Sequence, residues 1–346
     1  MEKVMSRKLI TISTIMTLMS TSVIADVPNV AADIAPIHSL VSRVMDGVGA
    51  PKLIVQSGAS PHGYRLRPSE AKALQDADHV FWMGEELTPW LDSAIGTLAS
   101  KASVTTLLDQ QGVILHDFRE GALFEAHDHS AHGDDDHDDH DDHDDHKDHD
   151  DHDDHDDHDD HKDHDDHDDH DDHDDHGSHD PHAWLSPENA KLWLNIIASK
   201  LSVSDPENAA TYFMNAAAGQ AEIEAMIAEV KATLKPVQGG KFVVFHDAYQ
   251  YFENDFDFYA SGAISLADSS DPSPARIEKV QKRIRDEGIQ CVLAEPQFKK
   301  GLVATVMEGS DATASVIDPL GAELETGPKL YTRLIKNMAK TLRNCL

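Results

Sequence analysis

The sequence is poor in cysteine, in aromatic residues and in positive charge. Its two cysteines, Cys291 and Cys345, allow at most one disulfide. Export would favour that disulfide, and two buried free thiols are the alternative. Lysine and arginine number 29 against 64 aspartates and glutamates, which gives a formal net charge of −35. Because phosphates would be repelled, this acidity argues against non-specific binding of nucleic acid.

The chain also lacks a long apolar run beyond its N-terminus, so no later segment is predicted to cross a bilayer. The N-terminus has the features of a secretory signal. A basic start at Lys3, Arg7 and Lys8 is followed by a short apolar stretch at residues 9–19 and by a small-residue cleavage site at Val23-Ile24-Ala25. The pattern predicts a signal peptide over residues 1–25 and export to the periplasm. An uncleaved anchor or a misassigned start codon is the alternative.

Most of the negative charge lies in one segment, residues 127–179, which we call the tract. It holds 28 aspartates and two lysines, and the remaining chain carries a net charge of only −9. The tract has almost no apolar side chain to bury, and its three-residue repeat matches neither a helix nor a strand, so it is predicted to be a disordered loop. Eighteen of the 24 histidines belong to it: His127, His129, His132, His137, His140, His143, His146, His149, His152, His155, His158, His161, His164, His167, His170, His173, His176 and His179.

These imidazoles indicate that the tract binds metal ions. Imidazoles repeated on a flexible chain, with carboxylates beside them, can hold a metal in many registers. The alternative is a solvating spacer, but aspartate alone would serve that purpose. Ordering a flexible chain costs about 1–2 kcal/mol per residue, so each site should be weak while the capacity is high.

Outside the tract, short apolar runs alternate with segments of helical periodicity. Predicted strands cover residues 52–56, 79–83, 104–107, 241–245, 291–294 and 315–317, and predicted helices cover 68–77, 274–287 and 329–342. Strands separated by helices favour α/β units with parallel sheets. Ser69, Ser186 and Ser273 are the expected helix caps.

One predicted helix is unusually long. It begins near Asp205 and runs to about Leu234, which would span about 45 Å at 1.5 Å per residue. We interpret it as a rod between two lobes. The predicted organisation is a signal peptide (residues 1–25), an N-terminal lobe that contains the tract (26–185), a helical region (186–235) and a C-terminal lobe (236–346).

Three of the six histidines outside the tract lie at predicted element ends, where α/β proteins place ligand sites. His62 follows a strand in a turn-rich loop, His182 precedes a helix cap and His246 ends a strand. Imidazole nitrogen suits zinc, and three histidines with one further ligand make a normal tetrahedral shell. We expect a carboxylate or carbonyl behind each ring. The other three, His38, His79 and His116, are predicted to be structural.

Several segments, in this order, resemble the periplasmic zinc-binding components of bacterial ABC uptake transporters, the ZnuA type of metal receptor. They are Gly58-Ala59-Ser60-Pro61-His62, Leu66-Arg67-Pro68-Ser69, Asp180-Pro181-His182-Ala183-Trp184-Leu185-Ser186-Pro187, Phe245-His246-Asp247-Ala248-Tyr249, Ala294-Glu295-Pro296-Gln297-Phe298 and Asp318-Pro319-Leu320-Gly321. The resemblance covers nearly the whole mature chain except the tract.

The resemblance implies two α/β lobes joined by a long helix, with zinc held in the cleft by His62, His182 and His246. Asp318 or water would be the fourth ligand, since Pro61 stands where some zinc-binding members have glutamate. Manganese-binding members carry glutamate at the position of His246, so this histidine favours zinc. The zinc branch also has a His-rich loop and a cysteine pair placed like Cys291 and Cys345.

The expected function is capture of zinc and its delivery to a membrane permease, by a monomer and with no chemical step. One alternative is a periplasmic zinc buffer or adhesin that depends on the tract. Another is a zinc hydrolase, since three histidines on zinc also describe hydrolytic sites. The sequence contains no His-Glu-x-x-His motif, which argues against an enzyme.

Overall fold

The structure is a computed structural model that describes residues 27–119, 124, 179–265, 272–297 and 300–346. The predicted signal peptide and residues 127–178 of the tract lie outside the described residues. Within the part of the chain that is described, no helix combines the length and the apolar character needed to span a membrane.

The N-terminal lobe is built on a parallel sheet with the strand order β2-β1-β3-β4. Its strands are β1 (Val30–Ala32), β2 (Lys52–Leu53), β3 (His79–Trp82) and β4 (Ser103–Thr106). Helices α1 (Ala35–Val44), α2 (Pro68–Gln75) and α3 (Pro89–Leu98) connect them. The short β1 and helix α3 have no counterpart among the predicted elements.

The C-terminal lobe repeats this plan with the parallel order β6-β5-β7-β8. Its strands are β5 (Phe242–His246), β6 (Ala263–Ser265), β7 (Cys291–Ala294) and β8 (Thr313–Val316). Its helices are α6 (Gln250–Phe256), α7 (Pro274–Glu287), α8 (Lys300–Met307) and α9 (Leu330–Cys345). The predicted fold class, two α/β lobes with parallel sheets, is therefore confirmed.

Two helices join the lobes, α4 (Pro187–Ser204) and α5 (Ala209–Leu234). Helix α5 has 26 residues, which is about 39 Å at 1.5 Å per residue. It packs against α4, α1 and α9. Gly219 permits the close approach, because a Cβ there would lie 2.9 Å from the Leu194 Cδ1 atom. One apolar core runs through both lobes and includes the buried Trp184, Trp193 and Tyr331.

Two of the three predicted serine caps are confirmed. The Ser186 Oγ accepts a hydrogen bond from the Asn189 N–H, and the Ser273 Oγ accepts one from the Arg276 N–H. The prediction that Ser69 caps α2 was wrong, because that helix already begins at Pro68. The expected disulfide joins Cys291, the first residue of β7, to Cys345, the last residue of α9.

Candidate metal centre

The fold brings His62, His182 and His246 together. His62 lies in the loop after β2, His182 lies directly before a 3-10 turn that leads into α4, and His246 is the last residue of β5. One ligand nitrogen from each ring lies within 4.8 Å of the other two. His182 and His246 are buried, while His62 is half-buried and forms the more exposed side of the group.

The rings of His182 and His246 face each other with their Nε2 atoms. The Nε2 atoms of His182 and His246 are 3.4 Å apart, and the ring centroids of His62 and His182 are 5.5 Å apart. A tetrahedral zinc ion with Zn–N bonds of about 2.0–2.1 Å sets neighbouring ligand nitrogens about 3.3–3.4 Å apart. The His182–His246 pair already has that spacing.

Buried carboxylates lie behind these two rings. The Asp180 Oδ1 is 2.6 Å from the His182 Nδ1, and the Glu295 Oε1 is 2.5 Å from the His246 Nδ1. Gln297 donates from its Nε2 to the other Glu295 oxygen at 2.8 Å. When Nδ1 carries the proton of such a bond, Nε2 presents its lone pair, so both carboxylates fix the tautomer that ligates a metal.

The expectation of a carboxylate behind the rings named neither Asp180 nor Glu295. The signal for Asp180 is local, since it stands two residues before His182. The signal for Glu295 is topological, because it follows β7, and β7 is the direct neighbour of β5 in the sheet. Parallel neighbours end at the same sheet edge, which brings Glu295 to His246.

The loop that carries His62 is held by aromatic side chains. Trp90 donates from its indole nitrogen to the Pro61 carbonyl at 2.7 Å. The rings of Tyr64 and Trp90 lie 5.7 Å apart, and the Tyr64 hydroxyl donates to the buried Glu70 carboxylate at 2.8 Å. These contacts fix the main chain on both sides of His62.

Asp318 is not a member of the three-histidine group. Its carboxylate accepts hydrogen bonds from the main-chain N–H groups of Leu320, Gly321 and Ala322, at 3.0, 2.8 and 2.6 Å. In the structure the Asp318 carboxylate therefore orders its own loop, and its role as a fourth ligand stays a prediction.

The three histidines that we predicted to be structural each contact protein groups. The His38 Nε2 lies 3.2 Å from the Pro51 carbonyl oxygen, and the His79 Nε2 lies 2.6 Å from the Ser204 Oγ. The His116 ring packs on Tyr251 with centroids 4.6 Å apart. Burial lowers the pKa of all three imidazoles.

A buried ion cluster lies beside the site. Arg119 donates to Asp247, the residue after His246, and to Glu253 on α6. Burial raises the pKa of both carboxyl groups, and the guanidinium acts in the opposite direction. Of the tract, only His179 is described; its Nδ1 lies 2.9 Å from the Asp117 Oδ1, and the two residues form an antiparallel bridge. Sequence reasoning did not single out Arg119.

Comparison with known proteins gives matches over nearly the whole chain. The family model described as "Zinc-uptake complex component A periplasmic" (ZnuA) matches residues 30–345. The high-affinity zinc uptake system protein ZnuA of Brucella abortus is 49% identical over 317 residues, which cover 92% of this chain and 91% of that protein. The protein of the same name from Paracoccus denitrificans is 45% identical over 323 residues, or 93% of each chain.

Solved structures show the same fold. A crystal structure of ZnuA matches with a TM-score of 0.67 at 20% identity, and the match covers 92% of this chain and 99% of that one.

Proposed function

The chain belongs to the ZnuA family of periplasmic zinc-uptake components, and from that membership we propose that it holds one zinc ion between His62, His182 and His246 and delivers it to the permease of an ABC transporter. As a member of this family it is a zinc-binding transport component rather than an enzyme. The three ligands and the handover are the proposal.

The spacing of the His182 and His246 Nε2 atoms carries this proposal. With each Nδ1 donating to a carboxylate, two Nε2 lone pairs face each other at 3.4 Å. Such lone pairs repel unless a proton or a cation lies between them, and a metal ion satisfies both at once. Asp180 and Glu295 also supply buried negative charge that balances a divalent cation.

Between zinc and manganese, this ligand set favours zinc, although imidazole also binds copper and nickel. Neutral imidazole suits zinc, whereas manganese prefers carboxylate, carbonyl and water oxygens. Since the Asp318 carboxylate already accepts from three main-chain N–H groups, we assign the fourth position to water.

The remaining assignments follow the predicted organisation. A signal peptide at residues 1–25 is cleaved on export, and the mature protein is a monomer in the periplasm. The lobes extend over residues 26–185 and 236–346, with the helical region 186–235 between them. The tract is an accessory that collects zinc at weak sites.

Calorimetry on a triple variant tests the proposal. Replacing His62, His182 and His246 with alanine should abolish one tight zinc site and leave the weak sites of the tract. The control is His79→Gln: His79 begins β3, at the strand end away from the cleft, and the variant should keep the tight site. Tight binding that persists in the triple variant would refute the assignment.

A further inference from the structure

Two carboxylates are buried directly beside the proposed zinc site. Asp247 follows His246 in the turn after β5, and Glu253 lies on α6; their side chains are 7% and 1% exposed. Removing two carboxylates from water costs several kcal/mol each unless a cation with good geometry compensates them. A cation that holds both therefore fixes the position of the turn that carries His246.

Arg119 supplies this cation. Its planar guanidinium binds the carboxylates through several nitrogens at once, an arrangement that we call a fork. Its Nε lies 3.0 Å from both Asp247 oxygens, its Nη1 donates to Glu253 at 2.6 Å, and its Nη2 also contacts both carboxylates. The Phe124 ring covers the guanidinium, 3.6 Å from its Cζ atom. Lysine would not reproduce this planar, multidentate arrangement.

Arg119 comes from the other half of the chain. It is the last residue of a segment between β4 and the tract, residues 113–119, which we call the stem. The stem is also held elsewhere: the Ile114 N–H donates to the Asn189 side chain at 2.8 Å, and the His116 N–H donates to the Tyr251 hydroxyl at 3.1 Å.

Helix α6 joins the stem to both buried histidines. The Tyr251 hydroxyl donates to the Asp180 carbonyl at 2.7 Å, and Asp180 supports His182. The Asp180 N–H in turn donates to the His116 carbonyl at 2.7 Å. Arg119 completes this frame on the side of His246, through Asp247.

We propose that Arg119 is a positioning residue for the zinc site, one that locks the His246 turn onto the stem and thereby slows zinc release. This inference rests on the proposed function of the three histidines. Among the described residues, Arg276 also lies within electrostatic reach of Asp247, but it donates to the main-chain carbonyls of Ile264 and Ala263.

The first test is Arg119→Lys, which keeps the charge and loses the fork. Zinc-loaded protein is mixed with an excess of a chromogenic chelator, and the release rate is followed. Outer partners of metal ligands typically change affinity by about 10–100-fold, so we expect release to accelerate about tenfold or more. The control is Arg43→Lys, because Arg43 makes a similar fork to Glu222, with both contacts at 3.1 Å, between α1 and α5. Its release rate should match the wild type.

A second variant separates positioning from charge balance. The triple change Arg119→Met, Asp247→Asn and Glu253→Gln removes the buried charges together, which is often neutral for stability. We expect a thermal midpoint near that of the wild type with zinc release still accelerated, and altered visible bands of the cobalt(II)-loaded protein, which report ligand geometry. Wild-type release and wild-type cobalt bands in this variant would overturn the inference.

The two proposals fail in different ways. If the wild type itself has no tight zinc site, the proposed function fails. If the wild type binds zinc tightly and Arg119→Lys releases it at the wild-type rate, only the role of Arg119 fails.

Discussion

At the scale of single residues, two aspartates near the cleft have opposite relations to the metal centre. The Asp180 Oδ1 faces the His182 ring, whereas the Asp318 carboxylate accepts hydrogen bonds from three main-chain N–H groups of its own loop. The family resemblance had suggested Asp318 or water as the fourth ligand and had left Asp180 without a role. The two aspartates differ in the groups that donate hydrogen bonds to their carboxylates.

This difference gives a prediction for Asp318→Ala. Three N–H groups would lose their acceptor, and leaving buried or half-buried donors unsatisfied costs about 1–3 kcal/mol. We therefore expect a lower thermal midpoint, while the zinc dissociation constant from chelator competition stays within about threefold of the wild type, or under about 0.7 kcal/mol. A tenfold loss of affinity with an unchanged thermal midpoint would instead make Asp318 the fourth ligand.

At the scale of elements, the sequence was informative where a local signal decides the structure. Ser186 and Ser273 each precede a proline, and both cap helices as predicted. Ser69 follows its proline, and the helix begins one residue earlier, where the Arg67 N–H donates to the Glu70 carboxylate at 2.7 Å. The β6 strand escaped prediction because a run of three residues carries no periodicity.

Contacts between distant elements could not be predicted from one sequence. His182 and His246 are 64 residues apart; their positions at predicted element ends suggested a shared metal site only weakly, and the family resemblance strengthened that grouping. Glu295 could be placed beside His246 only once β7 was known to neighbour β5. Arg119 gave no signal at all, because its role depends on two carboxylates more than a hundred residues away.

The disulfide gives a prediction at this scale, since it ties the start of β7 to the end of α9. Its cysteines are separated by 54 positions, and closing a loop of that size contributes about 4 kcal/mol in the chain-entropy model. The double change Cys291→Ser and Cys345→Ser should lower the free energy of unfolding in urea by about that amount and leave the zinc stoichiometry unchanged. A reducing agent should shift the wild type equally and leave the variant unaffected. Equal stability of both proteins would contradict the prediction.

At the scale of the whole molecule, the lobes are joined by contacts that a large hinge motion would break. The Trp184 indole donates to the Pro319 carbonyl at 2.8 Å, the Tyr331 hydroxyl donates to the Trp184 carbonyl at 2.9 Å, and the Ser39 hydroxyl donates to the Gly327 carbonyl at 2.7 Å. One apolar core also runs through both lobes. These contacts argue against a large hinge motion between the lobes.

The folding of the two lobes should not depend on the tract. Asp117 in the stem and His179, the last residue of the tract, are bridged to each other, and the stem is anchored on α4 and α6. Replacing residues 127–178 with a short Gly-Ser linker therefore leaves both bridged residues in the chain. We expect the variant to fold and to retain the tight zinc site, while the weak sites disappear from the calorimetric titration.

Growth of the source bacterium under zinc starvation decides which part of the molecule carries the function. If the three clustered histidines are the receptor site, the tract deletion should grow close to wild type at moderate zinc depletion, because one tight site suffices for delivery. The triple alanine variant should fail, because any zinc bound by the tract would lack the geometry of the cleft. If the tract deletion fails to grow and the triple alanine variant grows like the wild type, the buffer hypothesis is favoured. The protein would then be a zinc buffer whose lobes carry the tract.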